Sequence, residues 1–244
     1  MPLATRVIPT ILCRGRQQVK GKQFQSWRSV GLAAQAVRVH QARGVDEVVL
    51  LDVGATPEGR GPDLQLVEEL AEVMFAPLAV GGGISCVEDV RDLLRAGADK
   101  VVIGTGGPRL IAEVSSIVGS QAVVAALDVR GGYATVRCGT RTTLQPAVAW
   151  ARSCFDHGAG EILLTSIERE GTMNGYDLDL IRLVANSVGI PVIAHGGCRD
   201  YGDMADAVHA GASAVAAGAL FQFTDATPKE ASLALAGYGI EVRL

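Results

Sequence analysis

The sequence predicts an α/β protein, a single (β/α)8 TIM barrel made of two duplicated half-barrels. Three observations lead there. Eight short apolar runs alternate with eight longer amphipathic segments in 244 residues, the pattern of parallel strands each followed by a covering helix. Residues also recur at one fixed offset. Gly44, Glu47 and Leu50 return as Gly158, Glu161 and Leu164, Pro77 as Pro191, and Gly82-Gly83 as Gly196-Gly197. Ala96-Gly97-Ala98 returns as Ala210-Gly211-Ala212 and Gly104 as Gly218, every pair 114 residues apart. One offset held this long implies duplication of a four-unit half. Finally, a doubly wound nucleotide-binding sheet would need a GxGxxG turn after an early strand. Neither Gly81-Gly82-Gly83 nor Gly104-Thr105-Gly106-Gly107 has that spacing.

The strands are expected at 6–11, 47–53, 77–81, 100–104, 122–128, 161–167, 191–195 and 214–218. Each is an apolar run of the length of a strand buried on both faces, punctuated by glycine. The helices are expected near 29–43, 63–74, 86–96, 108–118, 145–157, 177–187, 200–210 and 226–236. No Pro/Gly/Ser-rich linker divides the halves, so residues 1–244 read as one closed domain.

Composition narrows the function. The chain is 48% hydrophobic and 20% charged, enough for a large core. Its 22 basic and 26 acidic residues leave a net charge of −4, which gives no general attraction to nucleic acid or to an anionic membrane. No apolar run is long enough to span a bilayer, and the first residues lack a signal-peptide pattern. The five cysteines are scattered without a CxxC pair, which argues against a disulfide scaffold or structural zinc. The expectation is a reduced, cytoplasmic protein with no metal and no cofactor.

In a barrel the chemistry gathers at the C-terminal strand ends. Glycine there lets backbone N–H groups approach an anion, and a following helix adds free donors. The first half offers Gly82, Gly83, Gly104 and Thr105; the second offers Gly196, Gly197, Gly218 and Ala219, with Gly171 and Gly175 in the preceding loop. Any one of these glycines is accounted for by a tight turn. Two sets at one offset predict two phosphate cups across a single mouth, and so a small molecule phosphorylated at both ends.

Val19-Lys20-Gly21, Asp46 through Asp52, Gly81-Gly82-Gly83-Ile84, Ala98-Asp99-Lys100-Val101, Gly119 through Val124, Gly160 through Ile167, Gly171-Thr172, Gly175-Tyr176-Asp177 and Val242-Arg243-Leu244 together resemble the cyclase (synthase) subunit of imidazole glycerol phosphate synthase. The resemblance covers nearly the whole chain. It implies a barrel that receives ammonia from a class I glutaminase partner and adds it to a bisphosphorylated ribulosyl intermediate. Cyclisation and C–N cleavage then give imidazole glycerol phosphate and an aminoimidazole carboxamide nucleotide. Two aspartates at opposite strand ends serve as acid and base.

Asp128 matches the second of these. The first is replaced: alignment through Val19-Lys20-Gly21 puts Leu12 in its place, and leucine moves no proton. Neighbouring Cys13 and Arg14 are poor substitutes. By the same resemblance Lys20 approaches a substrate phosphate, the alternative being a solvated lysine. Thr165 and Ser166 match a polar pair near the substrate. Asp52 either orients substrate or caps a helix, and Asp177 has the same two readings. Glu168, Arg169 and Glu170 read as a surface charge run. His195, where the family usually has a small polar residue, is a candidate acid/base or phosphate ligand. His40, His157 and His209 read as surface residues on helices.

At the opposite face Arg6, Glu47, Lys100 and Glu161 match a ring of alternating charges that forms the family's ammonia gate, and Asp99 matches a glutaminase contact. A stabilising salt-bridge cluster is the plainer reading of the ring. A lost strand-one acid with a retained gate resembles a divergent branch associated with acetamidino modification of bacterial surface sugars. There the ammonia passes to a separate ATP-dependent amidotransferase. A histidine-pathway cyclase with a displaced acid, and a non-catalytic ammonia-conducting scaffold, are the alternatives.

Overall fold

The computed structural model describes residues 4–243. Strand β1 (Arg6–Arg14) runs into a hairpin, β2 (Gln17–Lys22) and β3 (Gln25–Leu32), and then helix α1 (Ala33–Ala42). There follow β4 (Val48–Asp52), α2 (Leu64–Ala71), β5 (Leu78–Gly81), α3 (Val87–Arg95), β6 (Lys100–Ile103) and α4 (Gly107–Val118). The second half opens with β7 (Val123–Arg130), a hairpin extension β8 (Tyr133–Val136) and β9 (Arg141–Pro146), and α5 (Ala147–Asp156). It continues through β10 (Glu161–Ser166), α6 (Leu178–Ala185), β11 (Val192–His195), α7 (Tyr201–His209), β12 (Ala214–Ala217), α8 (Ala219–Phe223) and α9 (Pro228–Gly237).

Strands β1, β4, β5, β6, β7, β10, β11 and β12 pair in parallel, each with the next, and β12 returns to β1. The barrel is therefore closed, with no free edge to protect. Period-two alternation splits each strand between two cores. Ile8, Val49, Ala79, Val102, Val124, Leu163, Ile193, Ala214 and Ala216 fill the interior. Val7, Ile11, Leu50, Val80, Val101 and Val192 point outward against the helices. Ile111, on α4, is fully buried in that outer layer. Ile111→Ala is expected to destabilise the fold by about 2–5 kcal/mol through lost transfer energy and a residual cavity, read from the urea midpoint.

Helix starts carry the duplication as well. Asp63 accepts from the Leu66 amide at 3.0 Å to cap α2, and Asp177 accepts from the Leu180 amide at 3.1 Å to cap α6. Asp177 thus serves the capping role, and the cap of α2 is Asp63 rather than Asp52. Thr227 and Glu230 form a reciprocal capping box at the start of α9, with Pro228 at its first turn.

Both hairpins are departures from the sequence expectation. The helix expected from residue 29 begins at Ala33, because Ser29 and Gly31 pair with Val19 and Gln18 of β2. The helix expected from 145 begins at Ala147, since β9 runs to Pro146. The short α8 was not expected. Among the described residues no helix is long and apolar enough to cross a membrane.

Candidate functional site

At the N-terminal face, four inward side chains close a ring. Arg6 begins β1, Lys100 begins β6, Glu161 begins β10 and Glu47 immediately precedes β4. Arg6 pairs with Glu47 and, at 2.9 Å, with Glu161; Lys100 pairs with Glu47 at 2.8 Å and with Glu161 at 3.0 Å. Glu47 is almost wholly buried, so these pairs are little screened by solvent. Arg6 is held above its ordinary pKa: its two carboxylate partners together outweigh desolvation, the largest single influence. One oxygen of Glu47, Oε1, and the hydroxyl of Thr10 are buried without a hydrogen-bond partner. Thr10 pairs in register with the interior residue Val49, so its hydroxyl faces the barrel axis. Asp99 is exposed beside this face, where its carboxylate accepts from the Leu78 amide at 2.8 Å.

At the other end the strands deliver their last residues to one mouth. Leu12 pairs with Leu51, Asp128 with Thr165, and Thr165 with His195. Leu51 and Thr165 stand at the 114-residue offset, so Leu12 and Asp128 occupy corresponding places in the two halves. Their own offset is 116, which is why the repeat alone did not reveal the correspondence. The floor is thus apolar on one side and protic on the other.

The main cavity is lined by Leu12, Leu51, Asp52, Gly83, Gly104, Thr105, Asp128, Thr165 and His195. Burial pushes the Asp128 carboxyl up to about 7, against the opposing pull of the neighbouring Thr165 hydroxyl. His195 is buried and its pKa lowered, first by desolvation; its Nδ1 lies 3.1 Å from the Thr165 hydroxyl. Asp52 caps no helix but lines the main cavity and fixes a loop beside it. Its carboxylate accepts from the amides of Gly54, Ala55 and Gly15 and from Arg60, which fixes the loop after β4.

A smaller cavity is lined by Gly171, Gly196, Gly197, Gly218 and Ala219. Gly175 lies behind it, with its carbonyl so close to Gly197 that a Cβ at Gly197 (φ +101°) would collide. Gly83 (φ +75°) is similarly pressed by the Arg60 carbonyl. These two glycines are therefore required by loop packing whatever the mouth binds. Ser166 lines neither cavity; its hydroxyl donates to Asp177 at 3.3 Å. Lys20 is not solvated. It is buried with Nζ over Gly218, and burial lowers its pKa to about 8, opposed by Glu170. Glu170 is itself buried, so the expected surface charge run ends inside the protein. His40 is also buried, edge-on to Phe221, whereas His157 and His209 are exposed.

The hairpins roof the main cavity, which the sequence did not foretell. Phe24 from the β2–β3 tip and Arg137 and Cys138 from the β8–β9 tip line it. The tips meet where Phe24 packs on Gly139, and Arg130 joins them by donating to the carbonyls of Gly139 and Gln23. Gln23, Phe24, Arg137 and Cys138 all have left-handed backbone without being glycine. Each costs on the order of 1 kcal/mol. No Asn-Gly or Asp-Gly signal marks either turn.

Among the described residues no three metal-ligating side chains come together. The histidine biosynthesis protein family model matches residues 6–227. The chain is 40% identical to the imidazole glycerol phosphate synthase subunit HisF of Nocardioides sp. over the full length of both proteins. It is also 40% identical, again over both full lengths, to the subunit of the same name from Corynebacterium diphtheriae. With a closed (β/α)8 barrel, a duplicated strand-end architecture and this full-length similarity, the chain belongs to the histidine biosynthesis protein family.

Proposed function

We propose that this chain is the cyclase-type barrel of a glutamine amidotransferase. A class I glutaminase docks on the ion-pair face beside Asp99. Ammonia passes the Arg6–Glu47–Lys100–Glu161 ring, crosses the barrel past the unpartnered Thr10 hydroxyl, and reaches a phosphorylated carbonyl compound in the mouth. The observation that carries this reading is the pairing of a charged ring at one end of the axis with Asp128 and His195 at the other. Asp128, near 7, is matched to proton transfer at neutral pH.

Two reactions fit the reading. Full-length identity to HisF subunits favours cyclisation and cleavage of the ribulosyl intermediate to imidazole glycerol phosphate. Leu12, standing where a second acid is needed, favours delivery of ammonia to a separate ATP-dependent amidotransferase that forms amidines on a bacterial surface sugar. Turnover of the ribulosyl intermediate by the isolated barrel, with ammonium salt at alkaline pH, separates them. Product formation assigns the cyclase. Its absence from folded protein supports ammonia delivery; a barrel that neither turns over nor passes ammonia from any glutaminase is only a scaffold.

The smaller cavity, in this reading, holds a phosphate over Gly197 and Gly218, with Lys20 as its cation. Lys20→Met is expected to weaken inorganic phosphate binding at pH 7 by about tenfold, the scale of one charge-assisted contact. Wild-type affinity should fall as the pH rises through about 8, where Lys20 loses its charge. Calorimetric titration at several pH values checks both.

A further inference from the structure

Three protic side chains on adjacent strands lie side by side at the cavity floor. Thr165 on β10 is the register partner of Asp128 on β7 and of His195 on β11. Its hydroxyl sits 3.1 Å from His195 Nδ1, and the Asp128 carboxyl, whose pKa it lowers, is its neighbour across the strand pair in the same cavity. A hydroxyl has one proton to donate and lone pairs to accept. Between two titratable neighbours it therefore has two self-consistent arrangements. When Asp128 is a neutral acid, it donates to Thr165 and Thr165 donates to Nδ1, which leaves the imidazole proton on Nε2. When Asp128 is a carboxylate, Thr165 donates to it and Nδ1–H donates to Thr165.

We propose that Thr165 is a proton bridge between Asp128 and His195, so that the ionisation of Asp128 decides which imidazole nitrogen of His195 carries the proton. His195 lines the main cavity, so the bridge sets whether its Nε2 offers substrate a donor or an acceptor. This deepens the amidotransferase reading and rests on it for its chemical use. There, Nε2 takes a proton from nitrogen as ammonia adds to the carbonyl. Nδ1–H passes to the Thr165 oxygen, and the original Thr165 proton passes to the Asp128 carboxylate. The imidazole returns to neutrality, and the new Asp128 carboxylic acid protonates the alkoxide to give a carbinolamine. After exchange with solvent restores the Nδ1–H tautomer, a second turn of the relay takes another proton from nitrogen and gives it to the hydroxyl, which leaves as water as the C=N bond forms. Protons balance, and both proton-transfer groups come from the half-barrel that does not contain Leu12.

The charges facing this trio are Glu170 from the loop after β10 and Lys20 from β2, with Cys138 from the β8–β9 tip and Asp52 at the end of β4 nearby. Cys138, pushed up to about 12, stays neutral through the range of interest. Lys20, at about 8, titrates at its upper edge and needs its own control.

The test is a pH titration of the full chain, 15N-labelled at histidine and without substrate, by two-bond 1H–15N correlation spectra. His195 is expected to move from the Nε2–H to the Nδ1–H tautomer as the pH rises through about 7. Asp128→Asn and Thr165→Val should each abolish the switch, and Thr165→Ser should retain it. A purely structural threonine, or electrostatic coupling without the bridge, would shift midpoints but not exchange the protonated nitrogen. A single tautomer throughout, or a switch that survives Asp128→Asn, would overturn the proposal. So would loss of the switch in Lys20→Met, which would assign it to the lysine. Should Thr165→Val fail to fold, the Asp128→Asn and wild-type spectra still decide. Because no substrate is used, these outcomes are independent of whether the barrel turns over the ribulosyl intermediate.

Discussion

Asp128→Asn is expected to lower turnover by the barrel about 10²–10⁴-fold, the usual contribution of a positioned acid or base, while making the protein more stable above pH 7. The two effects have one origin. Burial holds the folded-state carboxyl near 7 instead of its ordinary 3.8. The native state therefore binds this proton more tightly than the unfolded chain. Stability falls as the pH rises from about 4 to about 7 and is flat with respect to this group above that range. Asparagine removes the ionisation. The variant should gain about 2 kcal/mol over wild type at pH 8, less than the whole shift implies because the side chain is only half-buried, and little at pH 4. Urea midpoints at the two pH values measure this. A structural aspartate would lose stability on substitution, so opposite signs for activity and stability identify Asp128 as a group held in an unfavourable state for use.

At the other end of the barrel, Glu47→Ala is expected to cost about 3–5 kcal/mol, the range for removing one partner from a buried ion pair. Arg6 and Lys100 would be left sharing Glu161 alone. Glu47→Gln keeps the shape and should lose less. The exposed Arg95–Asp92 pair at 3.1 Å makes the internal control, since its removal should change stability by under about 1 kcal/mol. If the ring also meters ammonia, both Glu47 variants will change glutamine-dependent turnover more than ammonium-dependent turnover.

The barrel was legible because each of its strands is buried on both sides. Val-Val-Leu-Leu at 48–51 and Glu-Ile-Leu-Leu at 161–164 have no competing period. The hairpins were not. Neither Gln25–Leu32 nor Arg141–Pro146 has a buried residue. Such strands are held by backbone pairing, which leaves no side-chain pattern to read, so their residues were absorbed into the amphipathic helices that follow. The ring was legible through the family resemblance, which picked out four charged residues at or just before strand starts. Glu170 was misread because it looks like a surface charge in its own segment, and the burial of Lys20 could not be read from its segment either. Their burial is produced by the β2–β3 hairpin folding onto the loop after β10, where the Gln23 amide donates to the Glu170 carbonyl at 2.9 Å. His195 was found by its departure from family resemblance; its partnership with Thr165 requires the register of β10 on β11.

The unequal floor of the mouth has a further consequence. Two copies of one half-barrel would give a pocket with a pseudo-twofold axis, and a ligand carrying a phosphate at each end would fit head-first or tail-first. With Leu12 and Leu51 on one side and Asp128 and Thr165 on the other, the two poses are no longer equivalent. A polar reacting carbon has hydrogen-bonding partners in only one of them. The unequal floor thus makes the pocket vectorial, fixing which end of an extended ligand meets the proton donors and which end is held at the apolar wall.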